Sequence, residues 1–390
     1  MNLNCLLVCF ALVLMSAAKD SRSSQSQKPI ARWRLEEQPL LSIGVAHGRQ
    51  EEELHRVAGV AELNDGRLVV ANSGTSELRY FDSAGQFLFA AGGEGSGPGE
   101  FRDLKWIRPL SSDSVVAWDP ESRRVTLFDR DGVLSRSFSL SYLHGRGGHP
   151  NVVDLLNDAT FLVVLEPPIR VGGVEVVRDT IRLVRVDREG VLIGSIGKFA
   201  GKTNTVISSE GVVDVMSLPF GPDLHIAASH AGFFVGTGET NEIRYLLNDG
   251  SSGSFVTTDV SATRLTGGEI AEFRRDYVTR MTRYGVPRQR AQRLAEDVPF
   301  PDKKPAYGPL RVDAEGNLWV AQYIARADEF RHFGRETIEW QVFNAAGETI
   351  AIAETPCGFT PYRIASNYVV GKWTDAMDVE YVGKYRLLKG

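Results

Sequence analysis

Residues 57–101 read VAGVAELNDGRLVVANSGTSELRYFDSAGQFLFAAGGEGSGPGEF, and this stretch divides into four short strands. The first, 57–63, closes at Asn64-Asp65-Gly66, residue types that accept positive φ at little steric cost. The second, 67–71, is rich in β-branched residues with little alternation, the pattern of a strand covered on both faces. A polar loop leads to Leu78-Arg79-Tyr80-Phe81-Asp82, the turn Ser83-Ala84-Gly85 follows, and 86–91 supplies the fourth strand. The glycine-rich run 92–99 then leads onward. No Gly-Lys-Ser/Thr follows it and no amphipathic helix opens after it, so it reads as a connector and not as a phosphate loop.

Weaker copies recur to the C-terminus. The second occupies 104–138, the third 152–196, the fourth 224–259 and the fifth 309–354. A sixth, 359–387, supplies only three strands, and the missing one is expected from the other end of the chain. Residues 40–44, Leu-Leu-Ser-Ile-Gly, followed by 45–54 resemble the fourth-strand segment 88–101, as does 192–201, and an N-terminal strand in the last repeat would hide the edges an open sheet exposes. The expected architecture is all-β: a six-bladed β-propeller over 30–390, closed by that strand, with a helical insertion at about 262–308 between blades four and five.

The third strands end in Phe-Asp before a Gly turn (Phe81-Asp82, Phe128-Asp129 and, loosely, Phe343-Asn344), and Gly97–Phe101 form a Gly-Pro-Gly-Glu-Phe connector. In these motifs the chain resembles the NHL-repeat and related six-bladed propellers of bacterial exported proteins. The resemblance covers nearly all of 30–390 and implies a fold; such propellers serve as sensors, scaffolds and enzymes.

The 390 residues carry 44 Lys and Arg against 49 Asp and Glu, a mildly acidic balance that argues against general nucleic-acid binding. An apolar run at 6–15 followed by Ser16-Ala17-Ala18 reads as a signal peptide, 1–18, too short to span a bilayer, although no Lys or Arg precedes it. Cys5 and Cys9 sit too early for a lipid anchor. Residues 19–29 read as a disordered spacer, and cleavage leaves Cys357 as the one cysteine and no transmembrane segment. A periplasmic or secreted location is expected, compatible with a large core that needs no disulfide.

Strand direction alternates, so turns between strands one and two, and three and four, share one face, and they are short here. Every long segment (166–179, 197–223, 262–308, 324–337 and 374–379) belongs to the opposite face, which is the expected working surface. In the largest of them, Thr266-Gly267-Gly268-Glu269 has capping-box spacing, and Ile270, Phe273, Tyr277, Met281 and Tyr284 recur at helical intervals. Gly285 ends that helix and Pro287 opens another, 288–298. Seven Arg residues make the pair basic, partly offset by Glu269, Glu272 and Asp276; it reads as a cap over the mouth with its arginines solvated.

Tyr307, Tyr323 and Trp373 with Arg326 are candidates to line a ligand pocket on that face, and inter-blade packing accounts for the aromatics equally well. His149 and His225 join the candidate ligand contacts; the spacings 144/149 and 225/230 are not the i, i+4 pair of a helical metal site. The reading is a protein that binds a protein or small-molecule partner without turnover and without a cofactor. The alternative is a Ca²⁺-dependent hydrolase of lactonase or arylesterase type, or a metal-dependent lyase, at the axial mouth. Oxygen ligands for it would come from Asn72, Asp103, Asp119 and Glu166, whose other role is turn capping. Gluconolactonase-type propellers look broadly similar, but their ligand set cannot be matched to positions here. No Ser stands in Gly-x-Ser-x-Gly context, and no catalytic residue is assigned.

Overall fold

The computed structural model describes residues 30–110, 113–168, 175–209, 212–257, 263–324, 337–375 and 377–390. The signal-peptide and spacer expectations, and Arg326, lie outside the described residues.

The chain is mostly β. Two N-terminal strands, β1 (Ala31–Leu35) and β2 (Leu41–Ile43), precede an antiparallel sheet of β3 (Val57–Glu62), β4 (Leu68–Asn72), β5 (Glu77–Phe81) and β6 (Phe87–Gly92). The second sheet is β7 (Trp106–Pro109), β8 (Val115–Asp119), β9 (Arg124–Phe128) and β10 (Leu134–Ser139). The third has five strands: β11 (His149–Leu155), β12 (Phe161–Glu166), β13 (Glu175–Val186), β14 (Leu192–Ser209) and β15 (Val212–Ser217). The fourth is β16 (His225–Ala228), β17 (Gly232–Gly236), β18 (Glu242–Leu247) and β19 (Ser252–Val256). Helices α1 (Gly267–Arg283) and α2 (Arg288–Asp297) follow. The last sheet joins β20 (Leu310–Val312), β21 (Leu318–Ala321), β22 (Thr337–Phe343) and β23 (Thr349–Pro356) to β24 (Thr360–Ile364), β25 (Tyr368–Thr374) and β26 (Glu380–Lys389).

The N-terminal segment makes that junction. Leu41, Ser42 and Ile43 pair antiparallel with Lys384, Gly383 and Val382, as the resemblance of 40–44 to a fourth strand led one to expect. β1, which periodicity did not single out, pairs antiparallel with the end of β26 and parallel with β23. It is a five-residue strand between two partners more than 300 residues away, so nothing local marks it.

Burial follows strand position. All five residues of β4 and of β8 are buried, the mark of strands covered on both faces. β6 and β10 alternate half-buried and exposed, as outer strands do. First strands pack on one another around the axis: β3 on β7, β11 on β16, β16 on β20, and β24 back on β3. Between neighbouring sheets lie apolar layers, such as Leu78, Tyr80, Phe101, Leu104 and Ile107 between the first and second, and Ile43, Val60, Leu68, Val370 and Val382 where the last meets the first. The arrangement is propeller-like.

The Phe-Asp motif has a physical basis. Phe81, Phe128 and Phe343 are buried, while the next side chain turns back on the backbone: Asp82 Oδ1 accepts the N–H groups of Ala84 and Gln86, Asp129 those of Asp131 and Val133, and Asn344 those of Ala346 and Glu348. Gly85 and Gly132 complete the turns at φ near +80°, a conformation costly for other residues. In the connector, Phe101 N–H donates to Gly93 O and Gly95 N–H to Phe101 O, which drives the Phe101 ring into the core. Its backbone amides serve the chain itself.

Residues 197–223, expected as a loop, are largely strand. β14 runs on to Ser209 and pairs with β15 from Asn204↔Ser217 to Ser209↔Val212, extending the third sheet. The run Thr203-Asn204-Thr205-Val206-Ile207 is β-branched enough to form a strand once a partner is alongside. α1 and α2 stand between β19 and β20 and pack on this extension: Phe273, Tyr277, Leu294, Ala295 and Val298 share a cluster with Ile207 and Phe220.

The α1 capping box is formed. Glu269 N–H donates to Thr266 Oγ1, and the Glu269 carboxylate accepts from Thr266 N–H at 2.9 Å and from Lys304 Nζ at 2.6 Å. Burial alone would raise the Glu269 pKa; the bonds from Lys304 and Thr266 outweigh it and hold the carboxyl below its ordinary value. Thr266→Ala is expected to cost about 1 kcal/mol, read as faster hydrogen exchange in the first turn of α1. Because the folded pKa is depressed, the cap's stabilisation is complete above the ordinary Glu range. It is lost as pH falls through the folded value, and the exchange protection should follow.

Candidate functional site

A cavity of about 730 Å³ opens where the connections between strands two and three, and between sheets, converge. Its wall is built from Lys202, the β15–β16 connection 217–224, Tyr323 after β21, the 357–361 link into β24, and Lys372 and Glu380 at the β25–β26 end. Phe273 of α1 reaches the lining as well, so the helical pair stands on the same face. Trp340, Phe359 and Tyr362 supply apolar surface from the strands, and Cys357 is half-buried in the wall. A second cavity of about 220 Å³ shares Leu224, His225, Pro309 and Arg311 with the first, so these four stand at the neck between them.

Most charges in the wall are committed. Lys372 Nζ lies 2.8 Å from Glu380 Oε1, and Glu380 Oε2 accepts Val57 N–H at 2.6 Å, pinning the last sheet to the first. Asp375 accepts the N–H groups of Met377 and Val379. Arg311 differs. Its Nε donates to Pro361 O at 3.1 Å and its Nη1 to Leu310 O at 2.8 Å, and no carboxylate among the described residues comes within ion-pair distance. Enclosure by protein lowers its pKa, and the nearby Arg108 guanidinium adds to this. Tyr362 beside it donates its hydroxyl to Val57 O, and burial pushes that phenol up to about 12.

The predicted pocket residues separate. Tyr323 and His225 line the large cavity. Tyr307 does not: it is fully buried, its hydroxyl donates to Glu242 O at 2.9 Å, and it packs between the fourth and last sheets, where any side chain at Gly236 would strike its hydroxyl. Trp373 stacks on Tyr381 at 4.9 Å, and its strand neighbours Lys372 and Thr374 face the cavity instead. His149 begins β11, opposite Glu166 in the register and 4.4 Å ring to ring from His144.

Asn72, Asp119 and Glu166 hold the same place, the last residue of the second strand, in three successive sheets. Asn72 is fully buried, its Oδ1 accepting His55 N–H at 2.6 Å and its Nδ2 donating to Thr75 Oγ1. Asp119 is buried too and accepts the N–H groups of Arg102 and Ser122. Asp103 is half-buried in the connector between them. Glu166 keeps an exposed flank, yet the protein packed round its carboxyl raises its pKa. A bond from Asn151 and the charges of Lys202 and His149 oppose that rise, and Asp223 adds to it. Among the described residues no three His, Cys, Asp or Glu side chains gather in a group able to hold a metal ion.

Sequence reasoning missed Arg311, Lys372, Cys357 and the Trp340–Phe359–Tyr362 surface. One signal was available for the first: a lone charge inside the short apolar strand Leu310-Arg311-Val312, echoed by Arg108 in β7.

No protein-family model matches the chain, and no curated protein sequence does. Among solved structures the chain is similar to a member of the DUF4221 family from Bacteroides vulgatus, at 10% identity over 92% of this chain and 99% of that one, with a TM-score of 0.54. An exported-protein candidate from Bacteroides fragilis matches at 12% identity over 92% and 95%, TM-score 0.49. Virginiamycin B lyase from Staphylococcus aureus matches at 10% over 91% and 100%, TM-score 0.44. No helix among the described residues is long and apolar enough to cross a membrane. At these identities the similarity is one of fold alone.

Proposed function

We propose that the chain is an exported six-bladed propeller that binds a small organic molecule in the axial cavity, under the α1–α2 cap, without turnover. The six-blade count reads the nine-stranded sheet as two blades, β20–β23 and β24–β26 with β2, bridged by β1. The observation that carries the binding reading is the cavity of about 730 Å³ on the long-connection face. That volume lies in the range of small-molecule sites, and an apolar wall with a few convergent polar groups suits one organic ligand. Export rests on the apolar leader at 6–15.

Cys357 gives direct access to the test. A neutral aromatic probe, N-phenyl-1-naphthylamine, is expected to bind one per chain with a rise in fluorescence. Alkylating Cys357 with a bulky maleimide should abolish that signal while leaving the thermal transition within a few degrees. A stoichiometric signal untouched by alkylation would place the probe elsewhere and remove the basis of the proposal.

Metal-dependent hydrolysis is the competing reading. It would need Asn72 and Asp119 to release the backbone N–H groups they now hold. Chelator-sensitive turnover in a panel of lactones and aryl esters would favour it over binding alone.

A further inference from the structure

Arg311 is an enclosed cation in the cavity wall with no carboxylate of its own within ion-pair distance among the described residues, whereas Lys105, also in the wall, is exposed. It projects from β20 at the neck, in contact with both the large and the small cavity. Two bonds to carbonyl oxygens, from Nε to Pro361 and from Nη1 to Leu310, fix the guanidinium plane without neutralising it. Arg108, from β7, is close enough to repel it. Arg108 has a partial partner in Asp154, whose Oδ1 lies 3.4 Å from Nε, but Asp154 Oδ2 is already taken by Ala228 N–H at 2.8 Å. One carboxylate therefore serves two guanidinium groups, and Tyr362 is occupied with Val57 O. An enclosed charge with only a shared counter-charge is costly, and a bound anion would relieve it.

From this geometry, and resting on the reading of the cavity as a ligand site, we infer that the neck is an anion seat. The ligand is a monoanion, a carboxylate or sulfonate, joined to an aromatic or apolar body. Its charged head meets the open edge of the Arg311 guanidinium. A planar fork held in place matches the two oxygens of such a head and binds them more selectively than a point charge would. A single negative charge balances the excess left after Asp154. The body of the ligand then lies outward along Trp340 and Phe359, toward the Phe273 underside of the cap.

The test uses the chain without its 1–18 leader, in which Cys357 is the one cysteine, and two probes that share one aromatic frame: 8-anilinonaphthalene-1-sulfonate, which carries a sulfonate, and N-phenyl-1-naphthylamine, which does not. The sulfonate is expected to bind at least tenfold more tightly, with one site per chain, blocked by alkylation of Cys357. Arg311→Gln should erase that tenfold preference, read as the ratio of the two probes' affinities. Arg311→Lys, which keeps the charge without the fork, should retain part of it. Inorganic sulfate should displace the sulfonate and not the neutral probe. Equal affinity for the two probes, or a preference that survives Arg311→Gln, would overturn the anion seat and leave the cavity reading standing. Failure of both probes to bind at a Cys357-protected site would overturn the cavity reading itself. Should Arg311→Gln fail to fold, the sulfate competition on the unaltered chain decides the question.

Discussion

Trp33→Ala is expected to destabilise the protein by about 3–5 kcal/mol, as for other buried tryptophans cut to alanine. The ring is 8% exposed, lies 5.8 Å from Trp319 with Lys389 over its face at 4.5 Å, and belongs to the apolar layer that β1 closes between β23 and β26. At about 2 °C per kcal/mol for a chain of this size, the melting temperature should fall by roughly 6–10 °C. Trp33→Phe should restore much of it. Deleting the chain through Ile43 goes further, for it removes both β1 and β2 and leaves the edges of β23 and β26 open. Unpaired edges recruit other chains, so the truncated protein should associate or precipitate under conditions where the intact chain does not. Thermal melts and light scattering read both effects. A truncated chain that melted within 2 °C or so of the intact one would show that the N-terminal segment decorates the last sheet and does not close it.

Phe273→Ala is expected to release the helical cap while sparing the sheets. Phe273 is fully buried, meets Phe300 edge-on at 5.3 Å and Phe220 at 6.3 Å, stacks with Tyr277, and also lines the cavity. Truncating it should remove about 3–5 kcal/mol from the contact between α1 and the β14–β15 extension. Phe273 sits at the centre of the cluster that holds the pair down, with Tyr277, Leu294 and Val298 around it, while Lys304 bonds Glu269 and Arg274 donates to Ala295 O within the pair itself. Helices of this length are marginal in water without tertiary packing. The exposed arginines of the pair then become trypsin sites, and cleavage between 267 and 297 should accelerate at least tenfold, while hydrogen exchange in β4 and β8 stays slow. The neutral probe's affinity should fall with it, since one wall of its site is gone. Equal cleavage of intact and altered chains would mean that the cap is anchored elsewhere.

Much of the fold was legible because its signals are local. The Asp or Asn that ends a third strand, with Gly three residues on, determines a turn by itself: two backbone N–H groups and one side-chain oxygen lie within five residues. The Thr266–Glu269 box was readable for the same reason, and the strand at 41–43 by its likeness to a fourth-strand segment rather than by any local partner. The extension of β14 was not, since Thr203 to Ile207 become strand only when Val212 to Ser217 lie alongside; the same residues without that partner read as loop. β1 was less legible still, its partners standing at 351–354 and 387–389.

The candidate site divides on the same principle. Composition and loop lengths determined which face carries the long connections, and that face holds the cavity. Tertiary structure alone decided which side chains meet there. Tyr307 and Tyr323 look alike in sequence, yet one is sealed between sheets and the other faces open space. Asn72 and Asp119 carry ligand-type oxygens, but folding aims those oxygens at backbone N–H groups. Arg311 is one charge in a short apolar strand until folding brings it near Arg108, with the charge of Asp154 acting on both. Spacing along a chain specifies turns and helices, whose interactions span a few residues. A charge's environment depends on strands hundreds of residues apart, and only their packing in the tertiary structure sets it.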